Sequence, residues 1–322
     1  MKRLLKIYLE KPELAGIVLL VLLIVVFQIM SNGVLLSYNN LQGVFGLLPE
    51  VGLVAIGVTI LMISGEFDLS VGSVFALSPM VMAISLVAGV PFLPAMLLGL
   101  LAAVAVGLVN GFITLKFALP SFITTLGMLF VARSLTVVIS GGFPPLLPAD
   151  VPAYVFTQFV GLVRLSMFWF VGIALILGLM LSSTNWGNWI KATGGQLDAA
   201  NALGIPTNAV KMFCFVLCSL LAGFAGIIQV LRLGSPLPSL GEGLELQAVA
   251  AAVIGGTSLF GGVGTVLGGI VGALLIRVID NGLVLSRVDA NWFKFAIGSL
   301  LVLAVIGNSW LRRTSRRIKL EA

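Results

Sequence analysis

Two carboxylates, Glu66 and Asp68, stand two residues apart inside the stretch Gly-Glu-Phe-Asp-Leu-Ser-Val-Gly-Ser at residues 65–73, with the hydroxyl of Ser70 just beyond. Long apolar runs flank this stretch on both sides. An acid at or within a bilayer is costly and normally faces a cavity, a pathway or a protein partner, so these residue types could hold a polar solute or a proton, or pair with a cation. They could also be structural. Asp68 and Ser70 precede the apolar run that starts at Val71, where a side-chain oxygen can accept a backbone N–H that the first helical turn leaves unpaired. Asp68 is therefore open to two readings, helix cap and pathway contact. Capping explains Glu66 less well, and an ion pair or a subunit contact suits it better. Gly65 and Gly72 would allow a tight helix break, and non-helical backbone at membrane depth is tolerated only where protein or a water-filled cavity satisfies it.

Other groups capable of chemistry are few. Glu50 and the set Arg277, Asp280 and Asn281 are candidate intramembrane pairs, with Arg277 and Asp280 on one helix face. Asn110 and Thr125 could present an amide and a hydroxyl to a solute. There is no histidine, and the two cysteines, Cys214 and Cys218, lie on one expected helix, where packing explains them and a disulfide does not. Zinc sites, iron–sulfur clusters and cysteine–histidine nucleophiles find no support. An intramembrane transferase or protease finds none either, for want of a paired nucleophile and base or of facing aspartates. No Gly-x-x-x-x-Gly-Lys-Ser/Thr loop is present to cradle phosphates. Gly194, Gly195 and Gln196 echo part of an ATPase signature, a coincidence in a chain with no phosphate loop. The chain reads as a non-enzyme that binds no cofactor and no metal.

The elements that must position these groups are membrane helices. Of 322 residues, 59% are hydrophobic and 9% charged, with 38 glycines and a mean hydropathy of +1.18, against a charged fraction of roughly 25% in soluble domains. The expected fold class is all-α: one polytopic membrane domain over residues 1–322. Apolar runs at 14–30, 44–64, 71–89, 92–115, 121–139, 161–182, 209–231, 245–259, 262–284 and 292–309 make about ten expected transmembrane helices, one or more short or broken. The run 14–30 follows Lys2, Arg3, Lys6 and Lys11 but has no small-residue cleavage site, so it reads as a retained span.

Charge placement orients these spans. The N-terminal tail 1–13 and the basic tail 310–322, with Arg312, Arg313, Arg316, Arg317 and Lys319, are both expected on the cytoplasmic side, which requires an even number of crossings. Segments 31–43 and 140–160 hold no Lys or Arg and fall outside, whereas Lys116, Lys191 and Lys211 fall at the inner side. The run 245–259 is short, but counting it as a crossing keeps the basic tail inside. The net charge of +6 is thus a matter of topology and of anionic lipid headgroups. Nucleic acid is not an expected partner, because no basic patch is interleaved with aromatics.

The cytoplasmic segment 183–208 is the longest polar stretch. Its Ala-rich centre predicts a short helix over 196–203 that stops at Gly204, with Pro206 just beyond. Asp198 near its start suits the positive end of the helix dipole. This helix is either an ordinary connector or a knob for a cytoplasmic partner to grip. Residues 255–264 hold five glycines, among them Gly255, Gly256, Gly261 and Gly262, which reads as close backbone packing or as a hinge near an inner gate. A faint likeness between 63–77 and 254–268 hints at an internal repeat of the kind transporters use.

Four segments in order carry a family resemblance. Residues 65–73 are similar to the motif Gly-Gly-x-Asp-Leu-Ser-Val-Gly-Ser of ribose, xylose and arabinose type ABC importer permeases. Leu-Pro-Ser-Phe-Ile-Thr-Thr-Leu-Gly at 119–127, Ala-Thr-Gly-Gly at 192–195 and Gly-Gly-Thr-Ser-Leu-Phe-Gly-Gly at 255–262 agree with it. Asp198, Ala199, Ala200 and Gly204 resemble the Glu-Ala-Ala-x-x-x-Gly loop of such permeases, with Asp in place of Glu. The resemblance implies a pair of permease subunits, identical or related, in a bacterial inner membrane. It further implies a cytoplasmic ATPase that uses ATP and a periplasmic solute-binding protein that delivers a sugar or polyol. The 198–204 helix would then couple to the ATPase. Glu66 departs from the motif, which has Gly there. An ion-gradient-driven transporter working through Glu66, Asp68 or Glu50 is the alternative.

Overall fold

The computed structural model describes residues 13–289, 292–293, 295–300, 302–303 and 306. The expected tails, apart from Glu13, and part of the expected span 292–309 lie outside the described residues. Among the described residues twelve helices run in the order α1 (Glu13–Met30), α2 (Tyr38–Ile63), α3 (Val71–Val87), α4 (Phe92–Lys116), α5 (Ser121–Ser140), α6 (Tyr154–Thr157), α7 (Leu165–Ser183), α8 (Asn185–Gly195), α9 (Leu197–Ala202), α10 (Thr207–Leu233), α11 (Leu244–Ile254) and α12 (Val266–Leu285), followed by helical turns at 295–300.

Two helices form the centre. From Leu48 to Ile63 every residue of α2 is buried, as expected of a helix that is apolar on all faces. α10 packs against α2, α3 and α4, and α1 lies along α12. Small residues permit these approaches: a Cβ on Gly107 of α4 would stand 2.8 Å from the Phe215 carbonyl oxygen of α10, so backbone meets backbone without an intervening side chain. α1, α4, α5 and α7 turn large apolar side chains outward, such as Val18, Leu101, Phe130 and Leu175. Such a surface belongs against hydrocarbon or another chain.

Seven of the described helices are long and apolar enough to cross a membrane: α1, α2, α4, α5, α7, α10 and α12. The expected spans 71–89 and 245–259 correspond to shorter apolar helices of 17 and 11 residues, α3 and α11. The second of these stops at Ile254, and α12 starts at Val266 rather than at 262, because Gly256, Gly261, Gly262 and Gly264 all take positive φ and turn the chain through a loop. The expected span 161–182 begins four residues late. Its first residues close an antiparallel hairpin, β1 (Phe159–Val160) with β2 (Val163–Arg164), which turns at Gly161 with φ +62° and is the one departure from all-α among the described residues.

The short helix expected at 196–203 is α9, whose end is closed by Gly204 at φ +77°. Helix α8 before it was not expected. Its glycines and asparagines hide it, although Thr184 caps it by accepting the Gly187 N–H at 3.3 Å, a signal that Thr before a polar run can give.

The internal likeness corresponds to one repeated turn. At the end of α2 the Gly65 N–H donates to Met62 O at 3.0 Å and the Glu66 N–H to Leu61 O at 3.3 Å, with Gly65 at φ +90°. At the end of α11 the Gly256 N–H donates to Val253 O at 3.0 Å and the Thr257 N–H to Ala252 O at 2.9 Å, with Gly256 at φ +94°. Both are the Schellman closure that needs a residue in the left-handed region.

Candidate functional site

The break between α2 and α3, residues 64–70, is tied to the first turns of α5. Ser121 Oγ accepts the Phe67 N–H at 3.0 Å and Thr125 Oγ1 accepts the Leu69 N–H at 3.0 Å. Thr125, expected as a possible solute contact, is fully buried and also donates to Ser121 O at 2.8 Å. Backbone groups freed by breaking a helix are thus paired again inside the protein, as an apolar surrounding demands.

Asp68 sits at the centre of this break with no exposed surface. Its Oδ1 accepts from Ser70 N at 2.8 Å and from Ser70 Oγ at 2.6 Å, and its Oδ2 accepts from Ser219 Oγ of α10 at 3.4 Å. Asn110 of α4 donates to Ser70 Oγ at 2.9 Å and stands 3.4 Å from both carboxylate oxygens. All the groups that reach Asp68 by these bonds are neutral. A buried acid held in this way depends on every one of these bonds, because an unpaired polar group away from water is costly. The cap reading needs adjustment. Ser70 is the N-cap residue of α3 but makes no side-chain cap bond, and Asp68 takes the N–H of Ser70 itself rather than one in the first turn.

Glu66 faces the start of α10. Its Oε1 lies 2.6 Å from Nζ of Lys211, one turn into α10, and both side chains are mostly buried. Of the ion pair and the subunit contact open to Glu66, this is an ion pair, and its partner Lys211 stands 145 positions away in the chain. Two sides of the molecule meet beside it, through backbone rather than side chains. Gly262 N–H donates to Ile63 O at 2.8 Å. A Cβ on Gly194 would collide with Ile63 O, and one on Gly261 would stand 2.5 Å from Gly194 O. The end of α2, the end of α8 and the loop after α11 thus form one glycine junction. Gly261 and Gly262 pack there, and so do Gly194 and the backbone of Gly195, which explains the echo of an ATPase motif. Gly255 meets Gly268 of α12 instead.

Beyond this junction α9 stands out from the body. Asp198 and Ala199 are exposed, Ala200 is buried at 2%, and Leu203 is 80% exposed. α9 is tied to α10 by Thr207 Oγ1 donating to Asn201 Oδ1 at 2.6 Å. Glu50 and Asp280 are paired elsewhere. Glu50 accepts from two nitrogens of Arg232, Nε at 2.8 Å and Nη2 at 3.0 Å. Arg277 Nη1 lies 3.2 Å from Asp280 Oδ2, and Asn281 exchanges two bonds of 2.9 Å with Asn40. Gly72 marks another close approach, between the start of α3 and the backbone of Gly241, where Arg133 of α5 donates to the carbonyls of Gly72 and Leu240. Lys211, Ser121, Ser219, Arg133 and Arg232 were not picked out as site residues from sequence, since polar residues scattered singly in apolar helices do not reveal their partners. Among the described residues no cluster of three acid, cysteine or histidine side chains could hold a metal ion.

Residues 40–305 match the family described as branched-chain amino acid transport system / permease component. The ribose import permease protein RbsC of Escherichia coli (strain K12) is 36% identical over 295 residues, which cover 90% of this chain and 91% of that protein. The xylose/arabinose import permease protein XylH of Sulfolobus acidocaldarius is 30% identical over 311 residues, 92% of this chain and 85% of that one. The autoinducer 2 import system permease protein LsrC of Yersinia enterocolitica is 34% identical over 281 residues, 86% of this chain and 78% of that one. No solved structure gave a significant match.

Proposed function

Because the chain belongs to the branched-chain amino acid transport system / permease component family, we propose that it is the membrane-spanning subunit of an ATP-binding-cassette importer for a sugar or related polyol. It is a transporter permease subunit and not an enzyme. In this reading two permease chains, identical or related, sit in a bacterial inner membrane. Each crosses about ten times with both termini in the cytoplasm. A separate cytoplasmic ATPase hydrolyses ATP, and a periplasmic binding protein delivers the solute. Import permeases for ribose and for xylose or arabinose are among its relatives, which supports the solute class.

The observation that carries the reading is the exposed helix α9, with Asp198 and Leu203 outward, attached to α10 one turn before the Lys211 that grips Glu66. A partner that moved α9 would move α10 and the α2–α3 break with it. Glu66, Asp68, Ser70, Asn110 and Thr125 are proposed to act on the pathway by setting the shape of that break.

The test is uptake by proteoliposomes holding the permease with its ATPase and binding protein. ATP-dependent accumulation of D-ribose or D-xylose is expected, and no accumulation without the ATPase. Accumulation by the permease alone, driven by a proton or sodium gradient, would instead establish the ion-coupled alternative.

A further inference from the structure

A half-open cleft of about 240 Å³ lies between α2, α3, α10, α11 and α12, beside the middle of α2 and the end of α10. In the topology proposed above the end of α10 is on the outer side. Glu50, Gln229, Arg232, Gln247 and Arg277 line it, and Phe75 supplies apolar wall. Most of the charge is already matched: Glu50 is clasped by Arg232 through two bonds, and Arg277 is paired with Asp280. Glu242, which also borders the cleft, is exposed to the surroundings. Gln229 and Gln247 differ from the rest. Neither side-chain amide has a hydrogen-bond partner among the described residues, and both are only partly covered.

This lining suits hydroxyls. An ion that displaced Arg232 from Glu50 would leave a charge uncompensated. A hydroxyl group needs no such change, because each amide offers it a donor and an acceptor at once, and the Arg277 guanidinium keeps N–H groups beyond the one turned to Asp280. The size points the same way. A volume of about 240 Å³ is roughly eight times the share of one water in the liquid. That is room for a single sugar-sized ring.

We propose that this cleft is a solute site within the permease chain, holding one neutral polyhydroxylated ring through Gln229, Gln247 and Arg277. The proposal rests on the importer reading and adds to it the residues by which this chain itself engages the solute on the way in.

Two measurements test it. In the first, Gln229→Cys and Gln247→Cys are made separately in the purified full-length permease and labelled with a membrane-impermeant thiol reagent. The native Cys214 and Cys218 have no exposed surface and contribute little background. Saturating D-ribose or D-xylose is expected to slow labelling at both positions by about threefold or more, whereas sodium chloride at equal osmolarity leaves it unchanged. In the second, the double variant Gln229→Ala with Gln247→Ala is expected to need about tenfold more sugar for half-maximal uptake in the reconstituted complex, the effect of losing two neutral hydrogen bonds. Labelling that neither sugar slows, or uptake by the double variant at wild-type concentration dependence, overturns the site even where the wild-type complex imports sugar. Protection in the purified chain together with no ATP-driven uptake by the wild-type complex would uphold the cleft and sink the importer reading.

Discussion

Glu66 Oε1 lies 2.6 Å from Lys211 Nζ, and this contact joins the break after α2 to the helix that follows the exposed α9. Glu66 is therefore a strut between the α2–α3 break and the proposed coupling segment. Both side chains are mostly covered, at 11% and 13% exposure. Breaking one side of such a pair leaves an uncompensated charge, which for a buried pair costs about 3 kcal/mol or more. Glu66→Gly and Lys211→Ala should each lower the thermal unfolding temperature of the detergent-purified protein and reduce uptake. The reciprocal exchange, Glu66→Lys with Lys211→Glu, should recover part of both. Wild-type uptake and stability in Glu66→Gly would remove any special role for that carboxylate.

Asp68 separates shape from charge. Replacing it by Asn keeps an oxygen for the Ser70 N–H and hydroxyl, whereas Ala leaves those donors unpaired at a cost of about 1–3 kcal/mol. Asp68→Ala should be clearly less stable than Asp68→Asn in a denaturation series. If the carboxylate only shapes the break, Asp68→Asn retains ATP-driven uptake; loss of uptake in a stable Asp68→Asn protein would show that its charge or its proton is used.

The glycine junction should be intolerant of a single methyl. At Gly194 and Gly261 an added Cβ meets backbone of a neighbouring segment, so the clash cannot be relieved by a side-chain rotation, and over-packing of this kind typically costs 1–3 kcal/mol. Gly89 gives the control, since it has φ +87° but open space around it and should lose only the roughly 1–2 kcal/mol of left-handed strain. Gly194→Ala is expected to lower the yield of folded protein on size-exclusion chromatography more than Gly89→Ala does.

Leu203, just after α9, tests the proposed coupling role of that helix without disturbing the fold. It is 80% exposed, so Leu203→Ser should leave stability within about 0.5 kcal/mol. Copurification of the ATPase subunit should nonetheless fall severalfold. A bulky residue at Asp198 or Gly204 is expected to reduce uptake strongly while membrane insertion persists. Unchanged ATPase copurification across all three variants would argue that α9 is only a connector.

Several of these features were legible in the chain itself. The short helix ending at Gly204 could be read because an Ala-rich run followed by Gly and Pro has one local solution. The pairing of Arg277 with Asp280 could be read because residues three apart share a helix face. Helix α8 could not, since its glycines argue against a helix and only the surrounding protein holds it. The expected ends of the spans at 259 and 262 failed for a related reason: apolar composition continues through 255–264, but left-handed glycines there divert the backbone.

By itself the sequence determined that this is a multi-span helical membrane protein and a permease of a known family, because composition and ordered motifs are properties of the chain alone. The tertiary structure decided which polar groups meet. Glu50 finds Arg232 across 182 positions and Glu66 finds Lys211 across 145, and Asp68 is reached by Asn110 of α4 and Ser219 of α10. Helix periodicity says which residues share a face but not which face another helix covers. Inside an apolar protein each polar group has to be matched by another, and that match exists only once the helices have packed.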